Sequence, residues 1–459
     1  MPTEGFFGLQ VQFLPAGPWR IGPDSGDRDR VDRIYHSDSL YSAFSHAMAQ
    51  MGMIEEWLDA TARAADPAVR FSSCFPCLQE TLFVVPPRHL WPPPASAKVR
   101  WKGARFVPLS VVEGLLNGRP PAEDEWTVDG ASECLVPSGA SGPFRVTVRS
   151  AAAVDRDGAG VVPHSTACLE FTPGGGLWMF AAFSDDASRE RWSGRLHAAL
   201  RLLADSGFGG KRSRGWGRSG SFKVIEGRLP SLVFKSKETV KPADGSKDAG
   251  GSQTAYWMLS LFQPAASDSI DWQRGSYSLT TRGGRIESEA RWGEAKKATR
   301  MIAEGSVIVA ASEPRGSATN VAPADFPHPV YRAGFALSIP VTISSAYLPV
   351  GTPAVSTPAA SPIAVGPAPV STTPAGIIPE SPVPEIAIPE GPAIEGAETA
   401  GPGSTSAEPV SIAAEAAIPE SAMPDSPTPD SSTPDSPAMD SPAPDNPTAE
   451  DVGDTGEES

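Results

Sequence analysis

The sequence predicts an α+β fold in which two ferredoxin-like (RRM-like) domains precede a long disordered tail. Three observations lead to this prediction. Strand and helix patterns alternate through the first half of the chain, a short polar segment interrupts them, and the composition changes sharply near residue 345. We therefore expect a first domain at residues 1–232, a linker at 233–252, a second domain at 253–345 and a tail at 346–459.

The first domain begins with a strand followed by a helix. Leu9, Val11 and Phe13 share one face of the strand pattern, and Ser37 or Asp38 is the expected N-cap of the helix. The predicted order is strand, helix, strands, helix, strand. An RRM-like domain has this order and packs its helices on one face of an antiparallel sheet. Further strands are predicted near residues 68–85, 104–108, 145–154, 177–182 and 222–225, and helices near 40–51, 55–65, 109–117 and 189–206, the last with Gly207 as its C-terminal cap.

The second domain is expected to be a degenerate unit of the same type. Residues 235–252 carry Gly, Lys, Asp and Ser with almost no apolar content, which is typical of a linker. Beyond them the patterns predict strands at residues 256–262, 277–281, 306–310 and 335–341, and a helix at 292–303.

The charge of the chain is divided between a near-neutral body and an acidic tail. The whole chain has 38 Lys and Arg against 54 Asp and Glu. Arg332 is the last basic residue, whereas 18 acidic residues lie between Glu380 and Glu458. Frequent prolines, and an acidic residue at every fifth position from 415 to 450, predict an extended, disordered tail. A solubilising or spacing role is the first interpretation, and a docking segment is the alternative.

Cysteine content and hydropathy indicate a reduced, cytoplasmic protein outside the membrane. Four cysteines are too few for a disulfide framework, and no stretch approaches about 18 consecutive apolar residues. The N-terminus also lacks a basic region followed by an apolar run. Cys74 and Cys77 have the spacing of half a zinc site, but no second pair follows, so both are expected in the core. No metal or cofactor is predicted.

A glycine-rich, basic stretch from Gly207 to Gly220 carries the clearest functional signal. No acidic residue occurs between Asp205 and Glu226. Glycines let backbone amides approach an anion, arginines bind phosphate, and Trp216 is suited to stacking on an unpaired base. The RNA-binding residues predicted here are Gly207, Gly209, Gly210, Lys211, Arg212, Ser213, Arg214, Gly215, Trp216, Gly217 and Arg218.

Other interpretations of this stretch are weaker. A flexible glycine hairpin with solvated arginines is the plainest alternative and stays open. The spacing Gly215-x-Gly217-x-x-Gly220 matches a dinucleotide-binding fingerprint, but here it precedes a strand, whereas that motif opens a helix. A Walker A loop requires a glycine where Asp205 stands.

Several segments along the chain resemble one family in the same order. The glycine-rich stretch resembles the signature loop of the RAMP superfamily of CRISPR proteins. The resemblance covers residues 5 to about 343, and the other matching segments resemble the type III-A (Csm) subunits that bind the 5′ tag, or handle, of the crRNA. The acidic tail and an insert at residues 155–166 depart from it. The matching segments are residues 34–43, 90–94, 106–109, 154–156, 296–306 and 329–336.

The resemblance implies a RAMP fold and a non-catalytic role in antiviral interference. It implies that the first domain binds the crRNA 5′ handle, with a backbone RAMP subunit and the large polymerase-like subunit as partners. His36 and Ser37 belong to a matching segment and are included among the expected RNA contacts.

Two other functions stay open. One is a metal-free endoribonuclease of the same superfamily that processes guide RNA, with His36 as general acid or base beside Tyr35 and Lys211. The other is a general single-stranded RNA-binding module. A lone histidine beside a helix start is weak evidence for chemistry, so no catalytic residue is assigned.

Overall fold

The computed structural model describes residues 6–23, 26–93, 99–154, 160–234, 253–288, 290–291 and 293–343. The α-helices of the first half are α1 (Ser37–Gln50), α2 (Ile54–Ala60), α3 (Leu109–Leu116) and α4 (Asp186–Ser206). Short 3₁₀ helices cover Val99–Gly103, Glu123–Glu125 and Arg212–Arg214. The strands are β1 (Phe7–Pro15), β2 (Val69–Phe71), β3 (Phe75–Leu78), β4 (Thr81–Val84), β5 (Val107–Pro108), β6 (Trp126–Asp129), β7 (Cys134–Pro137), β8 (Phe144–Val154), β9 (Val161–Phe171), β10 (Gly175–Phe183) and β11 (Ser219–Arg228).

Four of these strands form the sheet of a ferredoxin-like unit. β11, β1, β10 and β3 lie side by side in this order, and each neighbouring pair is antiparallel. Along the chain α1 follows β1 and α4 follows β10, so the order of strands and helices is the one that the sequence predicts. β2 also pairs with β10, and β4 and β5 extend the sheet beyond β3. The α+β prediction is confirmed.

The sheet is buried on both faces, and β10 shows this most clearly. Every residue of β10 is buried, and its sequence is apolar throughout. Leu177 and Met179 pack in the core formed with α1 and α4, whereas Trp178 and Phe180 pack in a core that includes Trp257 of the second half. An RRM domain normally binds single-stranded RNA on its sheet face. Because protein fills that face around Trp178 and Phe180, loops and edges are left as candidate binding surfaces.

The second half contains a smaller sheet with the same strand order. Four strands lie in the order β13, β16, β12, β19, all antiparallel, which is again the ferredoxin-like order. Hairpins connect these strands: β14 and β15 lie between β13 and β16, and β17 and β18 lie between β16 and β19. The strands are β12 (Gln253–Met258), β13 (Ile270–Ser276), β14 (Leu279–Arg282), β15 (Thr299–Ile302), β16 (Val307–Ala310), β17 (Gly316–Asn320), β18 (Tyr331–Phe335) and β19 (Ser338–Ile343).

The helix predicted at residues 292–303 is wrong. Thr299–Ile302 forms β15 instead, and Ala295 makes an isolated bridge to Arg285. Ile302 exchanges two backbone hydrogen bonds of 2.9 Å with Phe262, and its side chain is buried beside that ring. The local pattern did not separate helix from strand, and pairing with a distant segment decided between them.

β8 and β9 form a long hairpin outside the main sheet. Eleven residue pairs join the two strands, from Phe144 with Phe171 to Val154 with Val161. The predicted strand at residues 145–154 is confirmed, whereas β9 was not predicted because the segment around it looked like an insert.

Two predicted segments lie outside the described residues. They are nearly all of the linker at 233–252 and the whole tail at 346–459. The division into two domains stays a prediction, since the two described halves share one hydrophobic core. Within the described part of the chain, none of the helices has the length and apolar character needed to cross a membrane.

Candidate nucleic-acid interface

The glycine-rich stretch leaves the end of α4 and returns to the sheet at β11. Gly207 ends α4 with φ = 79°, which confirms the predicted C-terminal cap. The next side chain, Phe208, turns into the core. Its ring lies 4.6 Å from the ring of Trp19, 5.1 Å from Tyr35 and 5.2 Å from Phe13, between centroids. One buried aromatic side chain therefore fixes the start of a surface loop.

Close backbone contacts hold the loop against the segment that follows β1. The NH of Gly217 donates to the carbonyl oxygen of Pro18 at 3.0 Å, and the NH of Gly210 donates to that of Arg20 at 2.8 Å. At Gly217 φ is 78°, and a Cβ there would lie 2.1 Å from the carbonyl oxygen of Phe208. Only glycine fits such a position without displacing the backbone.

The outer turn of the loop carries its cationic side chains. Lys211 has a left-handed backbone with φ = 65°, and the 3₁₀ turn of residues 212–214 follows. Ser213 and Arg214 are exposed and Lys211 is partly exposed. Arg212 forms an ion pair with Glu287 of the second half. Lys211 and Arg214 are therefore better placed than Arg212 to receive an external anion.

The electrostatic surroundings of Lys211 are cationic. Partial burial lowers the pKa of Lys211, and the charges of Arg214, Arg28 and Arg20 lower it further. Like charges held close together repel one another in the free protein, and a bound polyanion relieves that repulsion. This turn therefore has the electrostatic character of a phosphate-binding surface.

The remaining predicted side chains of the loop are accessible as well. Trp216 is partly exposed and Arg218 is exposed. The carbonyl oxygen of Arg218 accepts from the NH of Ala16 at 3.0 Å and from Nε1 of Trp19 at 3.2 Å. The backbone at this point is thus fixed while the Arg218 side chain stays exposed. Trp216, two residues earlier, is of a type suited to stacking on a base.

His36 and Ser37 lie in a different environment from the loop. The His36 ring is buried, with Nδ1 2.7 Å from Glu304 Oε1 and Nε2 3.1 Å from Asp32 Oδ2. Burial disfavours the imidazolium, but the two carboxylates outweigh it and raise the pKa of His36 to about 9. The buried Ser37 hydroxyl accepts from the NH of Leu261 at 3.0 Å. Both side chains are buried and join the two halves, and their role as RNA contacts stays a prediction.

Asp38 anchors a second buried charge cluster at the start of α1. Its oxygens accept from Nε and Nη2 of Arg282 at 3.1 and 3.0 Å and also pair with Arg332. Burial opposes ionisation, but the two arginines lower the pKa of Asp38 to about 2. The predicted N-cap is wrong: α1 begins at Ser37, and His36 stands at the N-cap without a side-chain cap bond. Ser37 and Asp38 are engaged in tertiary contacts instead.

The residues considered for metal-free RNA cleavage are not arranged for it here. Carboxylates hold both ring nitrogens of His36, and burial raises the pKa of the Tyr35 hydroxyl. A general acid or base must come within hydrogen-bond reach of the substrate. His36 and Tyr35 are both buried, whereas Lys211 lies on the outer turn of the loop. The two candidate acid–base side chains are therefore buried, whereas the candidate cation is partly exposed.

The cysteines of the Cys74-x-x-Cys77 motif are buried thiols, as predicted for core residues. Burial raises the pKa of both thiols, to about 12 for Cys77. Within the described ranges no group of three or more His, Cys, Asp and Glu side chains could hold a metal ion.

Arg20 and Arg28 were not predicted as site residues. Arg20 binds Gly210 of the loop through its carbonyl oxygen and binds the carbonyl oxygen of Arg28 through its guanidinium, although both residues are far from the loop along the chain. The available signal was the charged run Asp27-Arg28-Asp29-Arg30, which lies three residues before the matching segment at 34–43.

Comparison with known proteins gives the following matches. Residues 252–341 match a family model described as the CRISPR Csm4 C-terminal domain. Curated proteins yield no match to the sequence. A solved structure described as a Csm3-Csm4 subcomplex in the type III-A CRISPR-Cas interference complex is similar with a TM-score of 0.48 and 14% identity, over 72% of this chain and 99% of that chain. A Csm1-Csm4 cassette in complex with cA4 is similar with a TM-score of 0.44 and 18% identity, over 73% of this chain and 98% of that chain.

Proposed function

We propose that this protein is a crRNA-binding scaffold subunit of a type III-A CRISPR (Csm) antiviral interference complex. The premise is the match of residues 252–341 to the Csm4 C-terminal domain model. In this role its glycine-rich loop holds the 5′ handle of the guide RNA. The observation that carries the proposal is the shared core: the Csm4-type segment packs with the sheet that β11 joins directly after the loop.

The chemistry of the loop supports RNA as its ligand. The loop carries three accessible cations, Lys211, Arg214 and Arg218. Hydrogen bonds from its glycines hold its backbone against the segment that follows β1. Trp216 adds a partly exposed ring in the same loop. Cations that contact phosphates together with a ring that stacks on a base are the usual means of holding single-stranded RNA.

The proposed protein partners are the large polymerase-like subunit, Csm1, and the backbone RAMP subunit, Csm3. These are the proteins that accompany Csm4 in the descriptions of the compared structures. Co-expression of the full chain with either partner should yield a stable complex by size-exclusion chromatography. We also propose a cytoplasmic location, because the four cysteines are free thiols.

The proposed role is non-catalytic, and the burial of His36 supports it. Purified full-length protein should therefore bind repeat-derived RNA without cutting it, in the presence or absence of a chelator. A single cleavage product that disappears in the His36→Ala variant would favour the guide-processing endoribonuclease instead.

The RNA contact itself is tested by salt dependence. Replacing Lys211 and Arg214 together with Ala should weaken binding of a labelled repeat-derived RNA and flatten the plot of log K against log salt, by about 0.7 per lost phosphate contact. The matched control is Lys102→Ala with Arg119→Ala. It removes two exposed cations outside the loop, one in the 3₁₀ helix Val99–Gly103 and one shortly after α3. An unchanged slope in the loop variant would exclude the loop from the RNA site.

A further inference from the structure

We infer that Arg28 makes an additional phosphate contact beside the glycine-rich loop, and that the buried Arg20 is the positioning residue that holds both segments together. The inference rests on the proposed RNA-binding function and deepens it. It adds the exposed residues 26–30, far away in sequence, to the same binding surface.

Arg20 clamps residues 26–30 through their backbone. Its guanidinium donates to the carbonyl oxygens of Asp27 at 2.7 Å, Arg28 at 3.0 Å and Arg30 at 3.2 Å. A fourth bond of 2.9 Å reaches the carbonyl oxygen of Ala167 on β9. These acceptors are neutral carbonyls, so they order the segment without cancelling the charge of Arg20.

The backbone of Arg20 also holds the glycine-rich loop. Its carbonyl oxygen accepts from the NH of Gly210 at 2.8 Å, and a Cβ at Gly209 would lie 2.7 Å from that oxygen. A Cβ at Gly210 would lie 3.2 Å from the Arg20 side chain. One residue therefore fixes two surface segments, by its side chain on one side and its main chain on the other.

Arg28 is fixed at its backbone and exposed at its side chain. Its carbonyl oxygen accepts from the NH of Ala167 at 2.8 Å in addition to the bond from Arg20. Burial is the main cause that lowers the pKa of Lys211 and of Arg20, and the charge of Arg28 lowers both further. The charges of these cations therefore act on one another. Asp29 opposes this effect at Arg20.

A flexible phosphate chain suits this arrangement better than a single anion does. Arg28 belongs to one segment, whereas Lys211 and Arg214 belong to another, and Arg20 keeps the two adjacent. Successive phosphates of one RNA strand can contact both segments, and each contact releases a counterion.

The test compares Arg28→Ala with Arg119→Ala in the full-length protein. Binding of a labelled single-stranded RNA of the repeat sequence is measured over a salt series. Arg28→Ala should weaken binding at low salt and reduce the logarithmic salt slope by about 0.7, whereas Arg119→Ala should leave it unchanged. If Lys211→Ala with Arg214→Ala flattens the slope and Arg28→Ala does not, the inference is overturned while the proposed function stands. If neither variant changes the slope, RNA binding by the loop fails as well.

Arg20→Met tests the positioning role. It keeps a long side chain but removes the four bonds to carbonyl oxygens, so it should reduce the salt slope at least as much as Arg28→Ala does, in protein whose circular dichroism matches the unmodified chain. A lower melting temperature with an unchanged slope would make Arg20 merely structural. Should this variant not fold, the Arg28 comparison decides the inference alone.

Discussion

The charged residues of the glycine-rich loop and those between the two halves differ in what surrounds them. Asp38 is buried between Arg282 and Arg332, and His36 is buried between two carboxylates. Lys211, by contrast, is partly exposed, and the charges that act on it are other cations. In the buried clusters, charges of opposite sign lie next to one another and join the two halves of the protein. The cations around Lys211 favour the binding of an external anion.

This difference decides which residues are structural and which are available for binding. His36 lies in a segment that resembles a guide-binding family, yet its neighbours make it part of the contact between the halves. Arg28 lies in a run of alternating charges, yet Arg20 binds its carbonyl oxygen and also binds Gly210 of the loop. Residue type alone does not separate the two cases, and four experiments test the separation.

The largest effect is expected for Asp38→Ala. This change leaves Arg282 and Arg332 buried without their carboxylate, and breaking a buried pair in this way typically lowers the free energy of unfolding by roughly 3–5 kcal/mol. Chemical denaturation measures the loss. Asp59→Ala is the control, because Asp59 pairs with Arg63 at the surface and should contribute little. Equal losses in the two variants would contradict the contrast between buried and exposed charge.

The His36 cluster should give stability a dependence on alkaline pH. The pKa of His36 is about 9 in the folded protein and about 6.5 in the unfolded chain, so the imidazolium stabilises the fold fully below pH 6.5 and this contribution is lost as pH rises through 9. The size should be on the order of a few kcal/mol. Melting temperatures measured between about pH 6 and pH 10 should fall for the unmodified protein and stay flatter for His36→Gln. Parallel curves for the two proteins would show that His36 is not charged in the fold.

Substitution by Ala should destabilise the loop to different extents at Gly217 and Gly215, although both glycines have a positive φ. Gly217→Ala places a Cβ 2.1 Å from a carbonyl oxygen in addition to keeping the left-handed backbone. It should therefore lower the free energy of unfolding by more than the roughly 1–3 kcal/mol that such a backbone costs alone, and it should also weaken RNA binding. Gly215 has φ = 75° but open space around a Cβ. Gly215→Ala should therefore lower the free energy of unfolding only by the cost of the left-handed backbone. Thermal unfolding and RNA titration compare them. Equal behaviour would mean that the Gly217 contact does not shape the loop.

The smallest effect is expected for Trp216→Ala. Loss of a stacked base should weaken RNA binding by roughly 1–3 kcal/mol at every salt concentration, without a change in salt slope. The melting temperature should stay the same, because the ring is partly exposed. A lower melting temperature with unchanged RNA binding would place the ring in the core instead.

Several features of this protein could be predicted from the sequence because short-range patterns determine them. The apolar stripes of α1 and α4 depend on burial of one helix face, and the φ = 79° of Gly207 depends on the absence of a side chain. The alternation in β1 predicted the strand, although both of its faces are buried in the structure. The glycine-rich loop was recognised for the same reason: its composition is local, and its ends lie on a helix and a strand that were both predicted.

Only the tertiary structure decided which charges are neutralised. Arg282 and Arg332 beside Asp38, Glu304 beside His36 and Glu287 beside Arg212 all lie in the second half of the chain. Phe262 lies there as well, and its pairing with Ile302 makes a strand where a helix was expected. Sequence spacing does not report such contacts, because the field at a side chain depends on distance in space and on burial, and folding brings distant segments together. The charge of Arg28 acts on Lys211 for that same reason.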